Sequence, residues 1–534
     1  MVPPESEQKT PSIILFSELG VWNLYFLLKL YLFATHSINF HFLENIAFLL
    51  FIIAPFQTHF LYKMRQVVVI PMGISLLYYD SWLPSFDKLI IQIKNLANFD
   101  ISYLFELSTR FFNFELVAAF FVVVVCYYYL KNWIKFTSIT IGLFAYFLFI
   151  QYYQPETDTK TQIVRAQNTT NNRNTQSSNS PDEHLQQFFS YEAKRKIGYD
   201  NVTMNQPFEL LFLNVCSLSW DDLKHTGLDT HILFDKFDIM FQQFNTATSY
   251  SGPAAIRLLR ASCGQRTHSQ LYSPADNQCY LFNNLAKLGF GQNLLMNHDG
   301  KFDNFEQYIR KEGGWNVPNQ LDPQSPLIQK SFDGSPIYSD RSLFDQWLAK
   351  TDSKPSATLY NTVSLHDGNK ILGNQSRLNS LENFHPRLLT LLNDINYLFE
   401  KIEQSGRKVM VVLVPEHGAG IKGDNLQLAG MREFPSYNIT HVPVGVKLFG
   451  MPKGKEQTLN VSSPTSYLAI SKLVQQVVEK DMFGEPTSTL SAIINSLPTT
   501  EPVSENDSAT VIRHNGTYQM KIGEEDWIQY GNDN

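Results

Sequence analysis

Val409-Met410-Val411-Val412-Leu413-Val414-Pro415-Glu416-His417-Gly418-Ala419 states the architecture more plainly than any other part of the chain. Its first six residues are all apolar, and the run ends at a carboxylate and an imidazole. An apolar run of that length reads as a strand buried on both faces, and such strands lie in sheets covered by helices. Residues 386–402 have the pattern of a helix and lead through Gly406 into this strand. Upstream, residues 208–215 form an apolar strand that ends at Cys216, and residues 357–365 form another that ends at His366. Residues 253–260 begin a helix just after Ser251. Alternating strands and helices from about residue 191 predict an α/β domain spanning 191–499. Cys216, His366 and Glu416-His417 then gather at one edge of a mostly parallel sheet, where open sheets place their ligands. Beyond Leu448 the pattern weakens, although 466–483 reads as a helix; 500–534 reads as a polar, loosely ordered C-terminal segment.

The first 152 residues have a different character. Phe and Tyr are frequent there, while Asn, Gln, Ser and Thr dominate the next stretch, which marks a change of solvent. Five apolar stretches, near 13–34, 42–61, 66–83, 115–130 and 136–152, predict a multi-span helical membrane anchor. Lys63 and Arg65 after the second stretch, and Lys131 and Lys135 after the fourth, assign those turns to the cytoplasm. An odd number of spans delivers everything after residue 152 to the periplasm. Lys29, inside the first stretch, must pair or snorkel. No cleavable signal peptide is expected, because the first stretch outlasts a signal core. Residues 84–114 are amphipathic enough to lie along the outer interface. Residues 153–190 are polar and read as a tether. The net charge of -7, with no basic stripe interleaved with aromatics, excludes nucleic acid as a natural partner.

Four cysteines divide by role. Cys126 falls in the fourth apolar stretch and reads as an inert apolar side chain. Cys263 and Cys279 enclose a loop of ordinary size in an oxidising compartment and predict a disulfide. Cys216 is left over, and zinc would hold it as a thiolate. Ser251, between Tyr250 and Gly252-Pro253, begins a helix. It reads either as an ordinary N-cap or as a nucleophile beside N–H groups that receive a phosphoryl oxygen. Activating that hydroxyl needs a metal or a base. Glu416 and His417 add oxygen and nitrogen donors, so that with Cys216 and Ser251 they make a set suited to zinc.

Three segments, Asn214-Val215-Cys216-Ser217-Leu218-Ser219-Trp220-Asp221-Asp222, Thr248-Ser249-Tyr250-Ser251-Gly252-Pro253-Ala254 and Val414-Pro415-Glu416-His417-Gly418-Ala419-Gly420, resemble the phosphoethanolamine transferase family of bacterial cellulose secretion systems. The later Asn438-Ile439-Thr440-His441-Val442-Pro443-Val444-Gly445 segment extends the resemblance. It implies a membrane anchor joined to an α/β/α periplasmic domain of the alkaline phosphatase type, in the bacterial inner membrane. It further implies Zn2+ held by Cys216, Ser251, Glu416 and His417, phosphatidylethanolamine as donor, a glucose 6-hydroxyl of cellulose as acceptor, and association with the cellulose synthase complex. His366 matches a site histidine suited to proton transfer or to holding the phosphoryl group, and Arg432 matches a residue that orients phosphate oxygens. Tyr250 would form a wall of the donor site, and His441 is a candidate phosphate contact. Two alternatives stand beside this reading. Lipid A phosphoethanolamine transferases look similar but carry a threonine nucleophile, an Asp-His-Gly motif and a glutamate in place of Cys216. A noncatalytic glucan-binding scaffold would need none of the metal-site residues.

Overall fold

The computed structural model describes residues 19–35, 38–55, 58–81, 99–111, 114–153, 180–350, 354–373, 379–424, 426–452 and 457–530. The start of the first apolar stretch, residues 84–98 of the amphipathic segment and tether residues 154–179 lie outside them. The chain divides into two compact units, Met1–Gln92 with Phe111–Gln176, and Ile93–Arg110 with Ser177–Asn534. Part of the segment between the third and fourth apolar stretches thus belongs with the α/β unit, where the sequence had placed it in the anchor.

In the first unit the helices Trp22–Ala34, Phe42–Ile53, His59–Asp80, Phe114–Leu130 and Phe136–Tyr153 fall on the five apolar stretches. Phe26, Leu30, Phe40, Phe48, Leu49, Val69 and Phe144 form their shared core. Lys29 does not reach water. It is buried, ion-pairs with Asp80 and donates to Asn45 Oδ1 at 2.7 Å, so the cost of burying its charge is met by an opposite charge and a hydrogen bond. Among the described residues, no helix is long and apolar enough to cross a membrane.

The second unit is built on a seven-stranded sheet. Its strands, together with those of two smaller sheets, are β1 (Glu209–Val215), β2 (Ile239–Asn245), β3 (Gly291–Met296), β4 (Leu327–Lys330), β5 (Pro336–Tyr338), β6 (Ser356–Thr362), β7 (Lys370–Ile371), β8 (Val409–Leu413), β9 (His441–Phe449), β10 (Leu459–Val461), β11 (Val503–Glu505), β12 (Ala509–His514), β13 (Thr517–Ile522) and β14 (Ile528–Gln529). The large sheet runs β10-β2-β9-β8-β1-β6-β3, and β9 is antiparallel to both of its neighbours while every other pair is parallel. The pleat sends Leu210, Phe212, Met410 and Val412 to one face and Leu211, Leu213, Val409 and Val411 to the other. Helix Phe384–Ser405 covers the second face, burying Leu388, Leu391, Leu392, Ile395 and Leu398 at the three- and four-residue spacing of one helical stripe. Helices Ser251–Leu259 and Tyr467–Glu479 cover the first face through Ala255, Leu258, Ile470, Leu473 and Val474. Both faces are therefore dry at the centre of the sheet, which is why β8 and most of β1 read as apolar runs, and the layers are α/β/α.

Two local expectations fail. Helix Pro181–Glu192 occupies the end of the expected tether: Ser180 and Glu183 form a reciprocal capping box, and Phe188 packs on Val503 and Ile512. The C-terminal segment is not loose either. β11 to β14 form an antiparallel sheet whose Val511, Tyr518 and Met520 close on Phe434. Asn515 and Gly516, at φ 51° and 83°, make the two-residue turn between β12 and β13. Cys263 and Cys279 are disulfide-bonded as expected. Cys126 is exposed and Cys216 is buried, both as free thiols.

Candidate metal centre and active site

Four parallel strand ends supply the site. Val414 N–H donates to Leu213 O and Glu416 N–H to Val215 O, which carries the β8 ladder past its last formal residue and sets Glu416-His417 beside Cys216 at the end of β1. Leu218 N–H then donates to His417 O at 2.7 Å, locking the two loops together. From the far side of the sheet, Ser251 arrives as the first residue of its helix. Tyr250 is the cap position and makes no side-chain cap bond, so the capping role the sequence allowed for Ser251 is absent. The Ser251 hydroxyl lies 3.2 Å from His417 Nε2 and 3.5 Å from Cys216 Sγ.

Cys216, Glu416 and His417 each present a ligand atom within 4.8 Å of the others, and all three are buried. His417 Nδ1–H donates to Gly418 O at 2.8 Å, which leaves the Nε2 lone pair facing the serine and the thiol. Glu416 Oε1 accepts from Asn361 Nδ2 at 2.6 Å, whereas its Oε2 is buried without a hydrogen-bond partner among the described residues. Burial raises Glu416 to about 7, and burial together with Glu416 pushes the Cys216 thiol up to about 11. Burial and then Arg432 hold His417 well below the usual imidazole range. Burial thus disfavours the charged form of all three groups. A divalent cation at their centre reverses that preference, because its charge favours thiolate and carboxylate. An orphaned carboxylate oxygen, a thiol, an imidazole lone pair and a hydroxyl converging on one point fit zinc, and they leave the hydroxyl at the reactive position.

Arg432 joins the remaining pieces. Its Nη1 donates to Ser217 Oγ at 3.1 Å and lies 3.3 Å from His417 Nε2, while its Nη2 donates to His366 Nε2 at 3.3 Å. His366 Nδ1–H is taken by Asp367 O at 2.7 Å, and burial followed by Arg432 lowers the ring to about 4. The imidazole is therefore neutral near pH 7, with Nε2 as an acceptor. Tyr250 donates its hydroxyl to Glu433 Oε2 at 2.9 Å and remains partly exposed. His441 sits at the start of β9, bonded to Gln242 O at 2.6 Å and stacked on Tyr437; its bonding does not go to the four proposed ligands.

Several participants escaped the sequence reading. Asn361 on β6 holds Glu416 and also donates to Asn214 Oδ1 at 2.9 Å. Asp222 accepts from Ala419 N–H at 2.7 Å and Ile421 N–H at 3.3 Å, stapling the loop that carries Glu416-His417. Asn506, in the C-terminal segment, accepts from Thr248 Oγ1 at 2.9 Å and donates to Ser249 Oγ at 2.6 Å. An isolated Asn or Asp carries no sequence signal for such roles.

The chain matches two families end to end: residues 22–149 match the cellulose biosynthesis protein BcsG N-terminal domain, and residues 165–527 the cellulose biosynthesis protein BcsG C-terminal domain. It is 39% identical over 551 aligned residues to the cellulose biosynthesis protein BcsG of Escherichia coli strain K12, covering 96% of each chain. The protein of the same name from Salmonella typhimurium strain LT2 is 39% identical over 549, again with 96% of each covered. A solved alkaline phosphatase superfamily protein from Vibrio parahaemolyticus is 14% identical, with a TM-score of 0.46 over 66% of this chain and 88% of its own. With both domains matched in order and nearly the whole length aligned, the chain belongs to the BcsG family of cellulose biosynthesis proteins.

Proposed function

We propose that this protein is a zinc-dependent transferase that moves phosphoethanolamine from phosphatidylethanolamine to glucose 6-hydroxyl groups of cellulose, through a phosphoserine-type intermediate on Ser251. The observation that carries the reading is the Ser251 hydroxyl, 3.2 Å from His417 Nε2 at a helix start, beside three buried ligand atoms within 4.8 Å of one another. The motif resemblance supports the donor and the acceptor, and membership in a cellulose biosynthesis family supports the glucan and the cellulose synthase complex as partners.

Zinc held by Cys216, Glu416 and His417 would lower the pKa of the Ser251 hydroxyl and offset charge on the phosphoryl oxygens. Ser251 Oγ attacks phosphorus, the bond from phosphorus to the diacylglycerol oxygen breaks, and the serine proton passes to that oxygen by way of His366. The sugar 6-hydroxyl then attacks the phosphoserine, and its proton returns to Ser251 as the phosphorus–serine bond breaks. A neutral His366 is suited to both transfers once Arg432, which donates to its Nε2 at 3.3 Å, turns to the phosphoryl oxygens and leaves that nitrogen to accept a proton. Arg432, which already donates toward His366 and Ser217, directs its N–H groups at the phosphoryl oxygens. The N-terminal unit, in this reading, is a five-span inner-membrane anchor that keeps a periplasmic site beside its lipid donor. Exposed Phe120, Phe121, Val122 and Val123 on helix Phe114–Leu130 support contact with lipid.

Zinc content and both half-reactions test the proposal in detergent-solubilised full-length protein given head-group-labelled phosphatidylethanolamine and a choice of glucan oligomer or lipid A. The expected result is bound zinc, release of diacylglycerol and label on the glucan, with Ser251→Ala abolishing both products while melting close to the parent. Label on lipid A alone would overturn the cellulose acceptor but leave the transferase. Normal diacylglycerol release by Ser251→Ala would overturn the covalent step. A chain that binds no zinc and releases nothing would be the glucan-binding scaffold instead.

A further inference from the structure

Asp367 follows the proposed proton-transfer residue directly, and its carboxylate is almost completely buried. Its partners come from a distant part of the chain. Helix Ile101–Phe111, from the segment between the third and fourth apolar stretches, places Arg110 against it as a two-pronged pair: Nη1 to Oδ2 at 2.7 Å and Nη2 to Oδ1 at 3.0 Å. Tyr103, about two turns earlier on the same helix, donates its hydroxyl to Oδ2 at 2.8 Å. Arg110 Nη2 also donates to Ser380 Oγ and Glu106 Oε1, both at 2.8 Å, and Glu106 accepts from Ser380 N–H at 2.9 Å. Burial works against the Asp367 carboxylate, but Arg110, Ser380 and Tyr103 outweigh it and hold the group ionised far below its usual range.

The same helix start reaches the other side of His366. Asp100 N–H donates to Phe332 O at 2.8 Å, and Phe99 meets the Phe332 ring edge-on at 5.0 Å. Phe332 in turn stacks on the His366 imidazole, with centroids 4.7 Å apart at 28°. His366 O is held separately by Arg387 Nη1 at 2.8 Å, from helix Phe384–Ser405. The imidazole plane is thus set by a ring resting on the 99–110 segment, and its Nδ1–H donates at 2.7 Å to the backbone carbonyl of Asp367, the residue whose carboxylate that segment clamps. None of these bonds goes to Cys216, Glu416 or His417; the clamp does abut Gly430, two residues before Arg432, where a Cβ would lie 2.6 Å from Arg110 Nη1.

We propose that residues 99–110 are a positioning element of the active site, in which Arg110 and Tyr103 act through Asp367 to aim His366 at the reacting oxygens. This rests on the transferase reading above, with His366 as the group that moves protons. It also means that a catalytic fragment starting after the tether lacks part of its own active site. Because a 1 Å misplacement of a catalytic group costs up to about 100-fold in rate, the expected penalty is in turnover and not in metal or lipid binding.

The test uses the full-length protein with Arg110→Met, Arg110→Lys and Tyr103→Phe. Steady-state diacylglycerol release, zinc content, thermal melting and hydrogen exchange of residues 364–373 are measured together. Arg110→Met is expected to lower kcat about 10- to 100-fold with KM and zinc content near the parent values, and to speed exchange in 364–373 while β1 and β8 stay protected. Arg110→Lys should recover part of the rate, since it keeps the charge but not the fork. Parent-like kcat in Arg110→Met would overturn the proposal, as would a loss of zinc and of global stability that tracks the loss of rate. The exchange measurement keeps it separate from the reaction proposed above: if the parent protein releases no diacylglycerol but 364–373 still opens only in the Arg110 variants, the clamp stands and the reaction fails. Unchanged exchange in 364–373 would sink the clamp whatever the activity.

Discussion

Glu416 is the residue on which the site turns, because one of its oxygens is satisfied and the other is not. Asn361 Nδ2 holds Oε1 at 2.6 Å, Oε2 is buried without such a bond, and the carboxylate has an oxygen within 4.8 Å of ligand atoms of Cys216 and His417. Asn361 is itself fixed by its contact with Asn214 Oδ1 and by His298 Nε2, 2.8 Å from its Oδ1. Partners of this kind orient metal ligands and their loss costs metal affinity. Asn361→Leu should weaken zinc binding by roughly 10- to 100-fold, read by competition with a chromophoric chelator, with the fold intact by circular dichroism. Unchanged affinity would mean that Glu416 needs no such support, or that it is not a ligand. Cys216 and Glu416-His417 were legible as candidates because each ends an apolar strand. Asn361 was not, because a polar residue inside a strand of buried residues has no meaning until its cross-strand neighbours are known.

Among the elements, the loop after β8 depends on a short helix far away in sequence. Helix Trp220–Thr226 opens with a capping box between Ser219 and Asp222, and the same Asp222 carboxylate accepts from the backbone N–H groups of Ala419 and Ile421. The loop can come this close only because Gly418 has no side chain: a Cβ there would lie 2.6 Å from Ser219 Cβ and 2.8 Å from Asp222 Oδ2. Gly418→Ala should therefore cost about 1 to 3 kcal/mol in denaturant unfolding and lower zinc occupancy with it. A variant as stable and as zinc-loaded as the parent would show that the loop has slack that the close packing denies. Element reading from sequence did well where the pattern is amphipathic or doubly buried, as for β8 and helix Phe384–Ser405. It failed for β12 and β13, whose alternation Val511, Tyr518 and Met520 is half-buried and short. Their Asn515-Gly516 turn is a hairpin signal that a reading of the segment from its polar composition does not use.

Across the whole molecule, the C-terminal sheet braces the candidate site and is not a tail. Glu505 N–H donates to Ala247 O, Asn245 Nδ2 donates to Val503 O, and Asn506 ties Thr248 and Ser249 to Glu433 O, all just ahead of Ser251. Asn506→Ala strands several of those buried groups at once. Its expected cost is about 1 to 3 kcal/mol in thermal or denaturant unfolding, with a lower diacylglycerol release rate. A chain ending at residue 499 should lose both more completely, and full activity in that truncated chain would refute the bracing role. Local sequence was enough to predict the α/β layering and the disulfide and to single out the thiol, serine, carboxylate and imidazole as candidates, because hydrophobic periodicity and reactive residue types are local properties. Three-dimensional packing alone established that Ser251 is not a cap, that Arg110 belongs to the site of Asp367, and that Asn506 belongs to the site of Ser251. Such contacts span long stretches of chain, 183 positions between Ser249 and Arg432 and 270 between Arg110 and Ser380. They are made by polar side chains whose pairing energy exists only after the apolar strands and helices have brought them together and removed the water between them.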